Sequence, residues 1–162
     1  MEDVEKIDNV DNNNAVLGYG CMSIRLRHPS CDLSNFSSLL SMRCFRVWVA
    51  GSQRETPAGK KLLDVYKESY WCSESIRFSE KKGFSLDLKN IINRLKNIEN
   101  EIKFIKSTGG DVEIYVNFLG SVDNGDTIDS STLKTIGELG VNLSLEVFPK
   151  ITGLQPPPVE GR

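Results

Sequence analysis

The sequence predicts an α+β domain in which a mainly antiparallel sheet of four to five strands packs against one long and two short helices. Two segments in the second half of the chain, "DVEIYVNFLG" and "VNLSLEVF", alternate apolar and polar residues, which is typical of half-buried strands. Between Leu88 and Ile105, apolar residues recur at steps of three and four, which is typical of an amphipathic helix. The order of strands and helices favours a sheet with helices on one face.

The first part of the chain is predicted to form a strand, a short helix and two further strands. In "GYGCMSIRLRH", Met22, Ile24 and Leu26 alternate with polar residues and predict the first strand. Asp32 has a side chain suited to an N-cap, and an apolar stripe that includes Phe36 follows it, so a short helix is expected there. The segments "CFRVWVAG" and "SYWCSESIRF" predict the second and third strands, the latter with weaker alternation.

The second part is predicted to form one long helix, a strand, a short helix and a last strand. The long helix spans about five turns of "SLDLKNIINRLKNIENEIKFIKSTGG", with Ser85 or Asp87 as its N-cap and Gly109 or Gly110 at its end. The segment "DSSTLKTIGELG" predicts the short helix, with Gly140 as its C-cap. The first six elements have the order of a ferredoxin-like split βαβ unit.

A single domain is predicted over residues 17–150, because a chain of 162 residues is long enough to bury one sizeable core. Residues 1–16 are acidic and polar and contain an Asn-Asn-Asn run, so they are expected to form a flexible tail. Residues 151–162 are rich in proline and are expected to form a second flexible tail.

The composition argues against some classes of function. Hydrophobic residues make up 39% of the chain and charged residues 26%, and the formal net charge is -2. Because this balance is not basic, no direct binding of nucleic acid through overall charge is expected. No apolar run approaches the ~20 residues that cross a bilayer, so no membrane partner is expected. The acidic N-terminal segment differs from a secretory signal, and the predicted location is the cytoplasm.

The sequence predicts no catalytic set, no metal site and no cofactor. His28 is the single histidine, and the cysteine spacing contains no CxxC pair, so a zinc site is poorly supported and the four thiols are expected to be free. A nucleophile pair of Cys31 or Cys21 with His28 is the catalytic alternative. It would require a thiol of lowered pKa, for which the sequence gives no sign.

Acidic residues in "SVDNGDTID" are candidates for contact with a partner. Asp123, Asp126 and Asp129 resemble a cation loop, but Lys134 stands where a calcium hand requires glutamate. Roles in turns and helix caps are therefore favoured for these aspartates. Asp123 and Asp126 are nevertheless retained as candidate binding residues, because acidic side chains can steer the association of a basic partner. The other acidic residues considered for such steering are Glu99, Glu101 and Glu138.

The segment "GSQRETPAGKKLLDVYKESYW" is the second candidate site. Its basic residues, with a tryptophan stacked on a base or a sugar, would suit an anionic ligand. Alternatively, its aromatic residues pack in the core and its lysines are solvated, and for the tryptophan this is the favoured interpretation. The arginine is interpreted as a clamp on a carboxylate, which either an internal residue or a ligand provides. The candidate residues of the segment are Arg54, Lys60, Lys61, Tyr66 and Trp71, with Trp48 as an alternative stacking ring.

Several residue patterns taken together resemble a bacterial family catalogued as domain of unknown function number 4279. A short helix with the pattern D-L-x-x-x-x-x-L begins at Asp32, and Gly, Arg and Gly precede an aromatic-Trp segment. A long helix and an alternating strand follow, and then "LKTIGELGVNLSLEV" at residues 133–147. The resemblance covers about residues 18–149. The residues that match the middle of the pattern are Gly51, Arg54, Gly59, Tyr66 and Trp71.

The resemblance implies a small cytoplasmic bacterial domain with no established catalytic activity. Relatives of this kind are often encoded beside polymorphic or contact-dependent toxins, where such domains act as immunity proteins. The expected function is therefore a non-catalytic immunity protein that binds and neutralises a cognate protein toxin, for example a nuclease. The first alternative is a domain that binds a small anionic ligand or a nucleotide through the segment 51–71, either as a binding domain or as a weak enzyme. The second alternative is a structural or adaptor module.

Overall fold

The computed structural model describes residues 20–56, 58–78, 83–119 and 126–148, and both predicted tails lie outside these residues. The described part confirms an α+β domain with a mainly antiparallel sheet. In chain order its elements are β1 Gly20–His28, α1 Phe36–Leu40, β2 Cys44–Trp48, β3 Gln53–Glu55, β4 Lys61–Val65, β5 Ser69–Ser73, β6 Ile76–Phe78, α2 Ser85–Lys96, α3 Glu99–Ser107, β7 Asp111–Leu119, α4 Ser130–Leu139 and β8 Asn142–Phe148.

Among the described residues the main sheet has six strands, so the prediction of four to five strands is wrong. Its order is β2-β5-β1-β7-β8, and β6 pairs with β1 beyond the end of β5. The additional strand arises because the predicted third strand is interrupted at Glu74 and Ser75. The amide of Glu74 donates to the carbonyl of Arg43, while the residues after Ser75 return to β1. All pairs in this sheet are antiparallel except β7 with β8, which α4 connects.

The core lies between the helices and one face of the sheet. Met22, Ile24 and Leu26 of β1 are at most 1% exposed, and they lie beside Val116, Ile114 and Val112 of β7, their direct partners in the register. Full burial of each such aliphatic side chain stabilises the fold by about 1.5–3 kcal/mol. The helical residues that complete this core include Leu88, Ile91, Leu95, Ile102 and Ile105.

The predicted long helix is two helices, α2 and α3, so the described part contains four helices instead of one long and two short ones. At the end of α2 the hydrogen bonds tighten, since the amides of Asn97 and Ile98 bond to the carbonyls of Arg94 and Leu95, three residues back. Ile98 leaves the helical conformation at φ -122 and ψ 31, yet its side chain stays buried. The apolar period continues through the break because both helices face the same core.

The predicted helix ends are confirmed only in part. Gly140 ends α4 in the left-handed conformation at φ 64, and Gly109 follows α3 at φ 90, as expected. The predicted caps of α1 and α2 are wrong. Asp32 accepts a hydrogen bond from Ser34 and lies ahead of α1, whose N-cap position is occupied by Asn35. The N-cap position of α2 is Phe84, and neither Ser85 nor Asp87 occupies it.

The described helices contain no stretch with both the length and the apolar character required to cross a bilayer.

Two glycines provide a matched test of packing at the connection between α3 and β7. A Cβ atom at Gly110 would lie 2.7 Å from the carbonyl oxygen of Arg27 and equally close to His28 and Ile105, whereas a Cβ atom at Gly137 in α4 meets nothing within 4 Å. We expect Gly110→Ala to lower the free energy of unfolding by about 1–3 kcal/mol through overpacking. Gly137→Ala should raise it by about 0.5–1 kcal/mol because alanine favours the helix.

Urea unfolding of both variants beside the wild type measures these changes. A Gly110→Ala variant as stable as the wild type would contradict the close packing of this connection.

Candidate functional site

The face of the main sheet opposite the core carries polar and aromatic side chains. The alternation that directs Ile24 inward places Arg25 and Arg27 of β1 on this open face. The register of the sheet sets residues of other strands beside them, with Cys72 opposite Arg25 and Tyr70 opposite Arg27. Further residues on the open face are Ser23, Arg46, Trp48, Glu113, Tyr115, Asn117 and Glu146.

Aromatic rings and arginines form a continuous row at one end of the open face. Trp48 stacks with Tyr66 at 4.9 Å and with Tyr70 at 4.4 Å between ring centroids. The guanidinium of Arg54 lies 5.9 Å from the Tyr66 ring, and that of Arg27 lies 5.5 Å from the Tyr70 ring. Trp48 therefore already has two stacked partners within the protein, and both tyrosines have a cationic neighbour.

Within the segment 51–71, strands β3 and β4 form a β-hairpin that positions part of this row. Strands β3 and β4 pair with each other, and Gly59 takes φ 78 in the turn between them. The amide of Gly51 donates to the carbonyl of Tyr66, and the amide of Tyr66 donates to the carbonyl of Ser52. These two bonds fix the base of the hairpin beside the end of β2 and place Tyr66 against Trp48.

A cavity of about 630 Å³ lies between the hairpin and the main sheet. Its charged lining is balanced, with three cationic and three acidic side chains. The shortest contact between opposite charges there joins Arg54 Nη1 to Asp64 Oδ2 at 2.6 Å. Arg54 is thus a clamp on an internal carboxylate, one of the two roles that the sequence left open. The charged lining residues are Arg46, Arg54, Lys67, Glu55, Asp64 and Glu68.

The other candidate residues of the segment do not gather around this cavity. Lys60 and Lys61 are exposed in the hairpin and do not line the cavity. Trp71 is fully buried on the core face, where its indole Nε1 donates to Ser37 Oγ at 3.0 Å. Of the five residues predicted in this segment, the structure brings together Arg54 and Tyr66.

Asp126 lies at the start of α2, far along the chain from its partners, and Asp123 lies outside the described residues. Asp126 Oδ2 accepts hydrogen bonds from the amides of Phe84 and Ser85 at 2.8 and 2.9 Å, and Oδ1 accepts from Thr127. Partial burial alone would raise the pKa of Asp126, but these backbone N–H groups outweigh it and hold the pKa below its usual value. Asp126 therefore supplies the cap that α2 lacks locally.

His28 is buried, and both of its ring nitrogens have hydrogen-bond partners in the protein. Nδ1 accepts from the amides of Ser30 and Cys31 at 3.0 and 2.7 Å, so the proton lies on Nε2, which donates to Thr108 Oγ1 at 2.8 Å. The thiol of Cys21 donates to Asn117 Oδ1. His28 is thus bonded to backbone amides and a hydroxyl, and neither candidate thiol is bonded to it.

All four cysteines are free thiols. Within the described ranges, no group of three or more His, Cys, Asp or Glu side chains comes close enough together to hold a metal ion.

Arg46, Tyr70 and Arg27 are members of the site that the sequence pattern did not predict. The alternation in β1 and β2 was a usable signal, because it separates arginines from the apolar residues on each strand. The pattern within a strand gives the face of each side chain but not its neighbours across the sheet. The register that sets Tyr70 between Trp48 and Arg27 depends on pairing over distances of about 20 to 40 residues along the chain.

Comparison with known proteins gives one family match. The family described as Domain of unknown function (DUF4279) matches residues 18–148, which includes all of the described residues. No curated protein and no solved structure shows significant similarity to the chain.

The cap that Asp126 forms predicts a pH-dependent contribution to stability. Because its pKa is lowered on folding, the contribution is present above the unfolded-state pKa, near ~4, and is lost as the pH falls through the folded-state pKa. We expect Asp126→Asn to lower the free energy of unfolding by about 1 kcal/mol at pH 7, because it replaces one acceptor oxygen with a donor and removes the charge that strengthens the remaining hydrogen bonds. The difference from the wild type should shrink as the pH falls to 3.

Urea unfolding at both pH values measures this difference. Asp87→Asn is the matched control, because Asp87 lies in the first turn of the same helix and forms no cap. An effect of Asp87→Asn as large as that of Asp126→Asn would show that general charge at the helix terminus matters, instead of the hydrogen bonds of Asp126.

Proposed function

Because the chain belongs to the family described as Domain of unknown function (DUF4279), we propose that it is a non-catalytic immunity protein that binds and neutralises a cognate bacterial protein toxin. The family resemblance stated above implies this role. The proposal places the protein in the cytoplasm of the cell that it protects, where its four free thiols would stay reduced.

The observation that carries the proposal is a set of exposed apolar side chains on β2 and β4, here called the β2–β4 surface. It consists of Phe45, Val47, Leu63 and Val65, all of which are exposed, Phe45 to 68%. Val47 and Val65 also line the cavity next to Trp48. Exposed apolar side chains favour removal from water by a partner.

The residues around the β2–β4 surface suit a protein partner. Trp, Tyr and Arg are the residue types that most often anchor protein interfaces, and Trp48, Tyr66 and Arg46 all border the cavity. The balanced charges of the cavity suit a polypeptide with residues of both signs better than a single anion. A contact of about 800 Å² on each partner would suffice for a stable complex.

A second group of exposed apolar residues on β8 carries less weight. Leu145, Val147 and Phe148 are about half exposed, but the chain that follows Phe148 lies outside the described residues. The β2–β4 surface has described neighbours on the sheet and the hairpin, so its exposure is the better argument for a docking site.

Three of the acidic residues considered for steering a basic toxin, Glu99, Glu138 and Asp126, contribute little to the proposal. Glu99 pairs with Lys103 at 2.6 Å and Glu138 with Lys134 at 3.7 Å. Asp126 caps α2. Such pairing reduces the net field that these carboxylates present. We therefore assign the contact to the β2–β4 surface and leave the chemistry of the toxin open.

The alternative function, an anionic ligand held by the segment 51–71, receives less support. Arg54 binds Asp64, Lys60 and Lys61 lie away from the cavity, and Trp71 is buried. An anion in this cavity would also face three carboxylates.

For the fold itself, we propose a ferredoxin-like unit formed by β1, α1, β2, β5, the pair α2 and α3, and β7. The order β2-β5-β1-β7 supports this assignment, because β1 and β2 run parallel with β5 between them, and β5 and β7 run parallel with β1 between them. Strand β8 would extend this unit at one edge.

The proposed function is tested with the purified product of the toxin gene that neighbours the gene of this protein. We expect Phe45→Ser to weaken the complex about 30-fold, since loss of an interface anchor costs about 2 kcal/mol. The matched control is Phe104→Ser in α3, because Phe104 is 54% exposed and lies on another side of the molecule. Binding is measured by calorimetry, and protection by growth of cells that express the toxin.

Two results would overturn the proposal. In the first, the wild type neither binds the toxin nor protects the cells. In the second, Phe45→Ser and Phe104→Ser weaken binding equally. The second result would move the contact away from the β2–β4 surface.

A further inference from the structure

A second pocket lies on the open face of the main sheet and is separate from the hairpin cavity except for Arg46. The register sets Arg46 of β2 opposite Cys72 of β5, and Cys72 opposite Arg25 of β1. Since neighbouring strands are ~4.8 Å apart, the backbones of the two arginines are about 10 Å apart. The small side chain of Cys72 lies between them and leaves a depression.

This depression forms a pocket of about 190 Å³. Four small residues line it: Cys21 and Ser23 of β1, Cys72 of β5 and Ser75 after β5. Tyr70, Tyr115 and Phe45 are the large side chains of the lining. The pocket thus forms because small residues lie between long side chains on adjacent strands.

The charge of the lining is positive. Arg25 and Arg46 are its charged members, and its lining contains no carboxylate. Arg46 makes no ion pair within the described part of the chain, in contrast to Arg43, Arg54 and Arg27. One guanidinium in the pocket therefore has no counter-ion among the described residues.

The second arginine has an imperfect partner. Arg25 Nη1 lies 3.7 Å from Glu113 Oε2, which is too long for a hydrogen bond, and Arg27 Nη1 lies at the same distance from the same oxygen. Arg25 Nε and Glu113 Oε2 are both buried, and neither has a hydrogen-bond partner in the part of the chain that the structure describes. One carboxylate is thus shared between two guanidinium groups, so it only partly offsets the charge of Arg25.

Aromatic contacts hold Arg25 in place. Its guanidinium lies 3.3 Å from the centroid of the Tyr115 ring, and the Tyr115 hydroxyl donates to Glu146 on β8. A guanidinium fixed on a ring loses little conformational entropy when it binds a ligand. Glu146 is thus already an acceptor for Tyr115.

Neutral donors complete the pocket. The hydroxyls of Ser23, Ser75 and Tyr70 and the amide of Asn117 can donate to an oxygen atom. Burial, followed by the neighbouring Cys72, raises the pKa of Tyr70 to about 12, so its phenol keeps its proton at neutral pH. A ligand with several acceptor oxygens and negative charge would match both the arginines and these donors.

We propose that this pocket binds an oxyanion group, a carboxylate or a phosphate, between Arg46 and Arg25. Planar guanidinium groups match both kinds of oxyanion with paired hydrogen bonds. The group belongs either to a free small molecule or to an acidic side chain of a protein. The pocket differs from the hairpin cavity in that no carboxylate lines it. It shares Phe45 and Arg46 with the proposed toxin contact, but its test needs no toxin.

The test is titration of the full chain with inorganic phosphate and, separately, with acetyl-Asp-Asp-amide, each at constant ionic strength in sodium chloride. Amide and side-chain NMR signals of Arg46, Cys72 and Arg25 report binding. We expect Arg46→Gln to weaken binding of the preferred probe about tenfold or more, since a hydrogen bond to a charged group is worth about that factor. Arg43→Gln is the matched control, because Arg43 is 85% exposed and pairs with Glu74 outside the pocket.

The outcomes separate the two sources of the oxyanion. Tighter binding of phosphate supports a small phosphorylated ligand, and tighter binding of the dipeptide supports an acidic side chain of a protein. The proposal is overturned if neither probe shifts the signals of the pocket, or if Arg43→Gln weakens binding as much as Arg46→Gln. The exposed position of Arg46 allows its substitution without loss of the fold, which the unchanged amide spectrum of β7 verifies.

Discussion

The pairing of β1 on both of its sides is the constraint on which the rest of the structure depends. Strand β1 bonds to β5 and β6 along one edge and to β7 along the other, so its register sets the positions of three other strands. Gly20 shows how tight this arrangement is, since a Cβ atom there would lie 2.2 Å from the carbonyl oxygen of Asn117 and 2.5 Å from the Phe78 ring. A slip of one residue in β1 would also place Arg25 in the core and Ile24 in solvent, at a large cost in free energy.

The same register produces the candidate sites. Once burial of Ile24 and Leu26 is fixed, Arg25 and Arg27 must lie on the open face, and Cys72 and Tyr70 must lie opposite them. The aromatic row and the oxyanion pocket are therefore neighbours on one surface. Alternate residues of β5 contribute to them, since Tyr70 supplies a ring to the row and Cys72 a small thiol to the pocket. The core and the proposed binding pocket lie on opposite faces of the same strands, so a change on the open face leaves the core packing largely intact.

The sequence pattern predicted those helices and strands that are determined by their own residues. The alternation in β1, β7 and β8 and the left-handed Gly140 at the end of α4 are examples. Features that depend on distant residues were not predicted. The cap of α2 comes from Asp126, 41 residues after Ser85. The helix break at Ile98 also escaped prediction, because the apolar period is the same for one helix and for two that face one core.

The candidate site was predictable to the same extent. The sequence pattern indicates on which face of the sheet a side chain lies, but not which side chains of other strands lie beside it. Arg54 was identified as a clamp, but its partner Asp64 becomes evident only when β3 and β4 pair. Arg46 acquires its importance from the register, because it borders both the hairpin cavity and the oxyanion pocket. An oxyanion bound to Arg46 would neutralise it and leave two cations, Arg54 and Lys67, against three carboxylates in the cavity. Occupation of the pocket would therefore make the cavity more favourable for cationic groups, so the two sites are electrostatically coupled through one side chain.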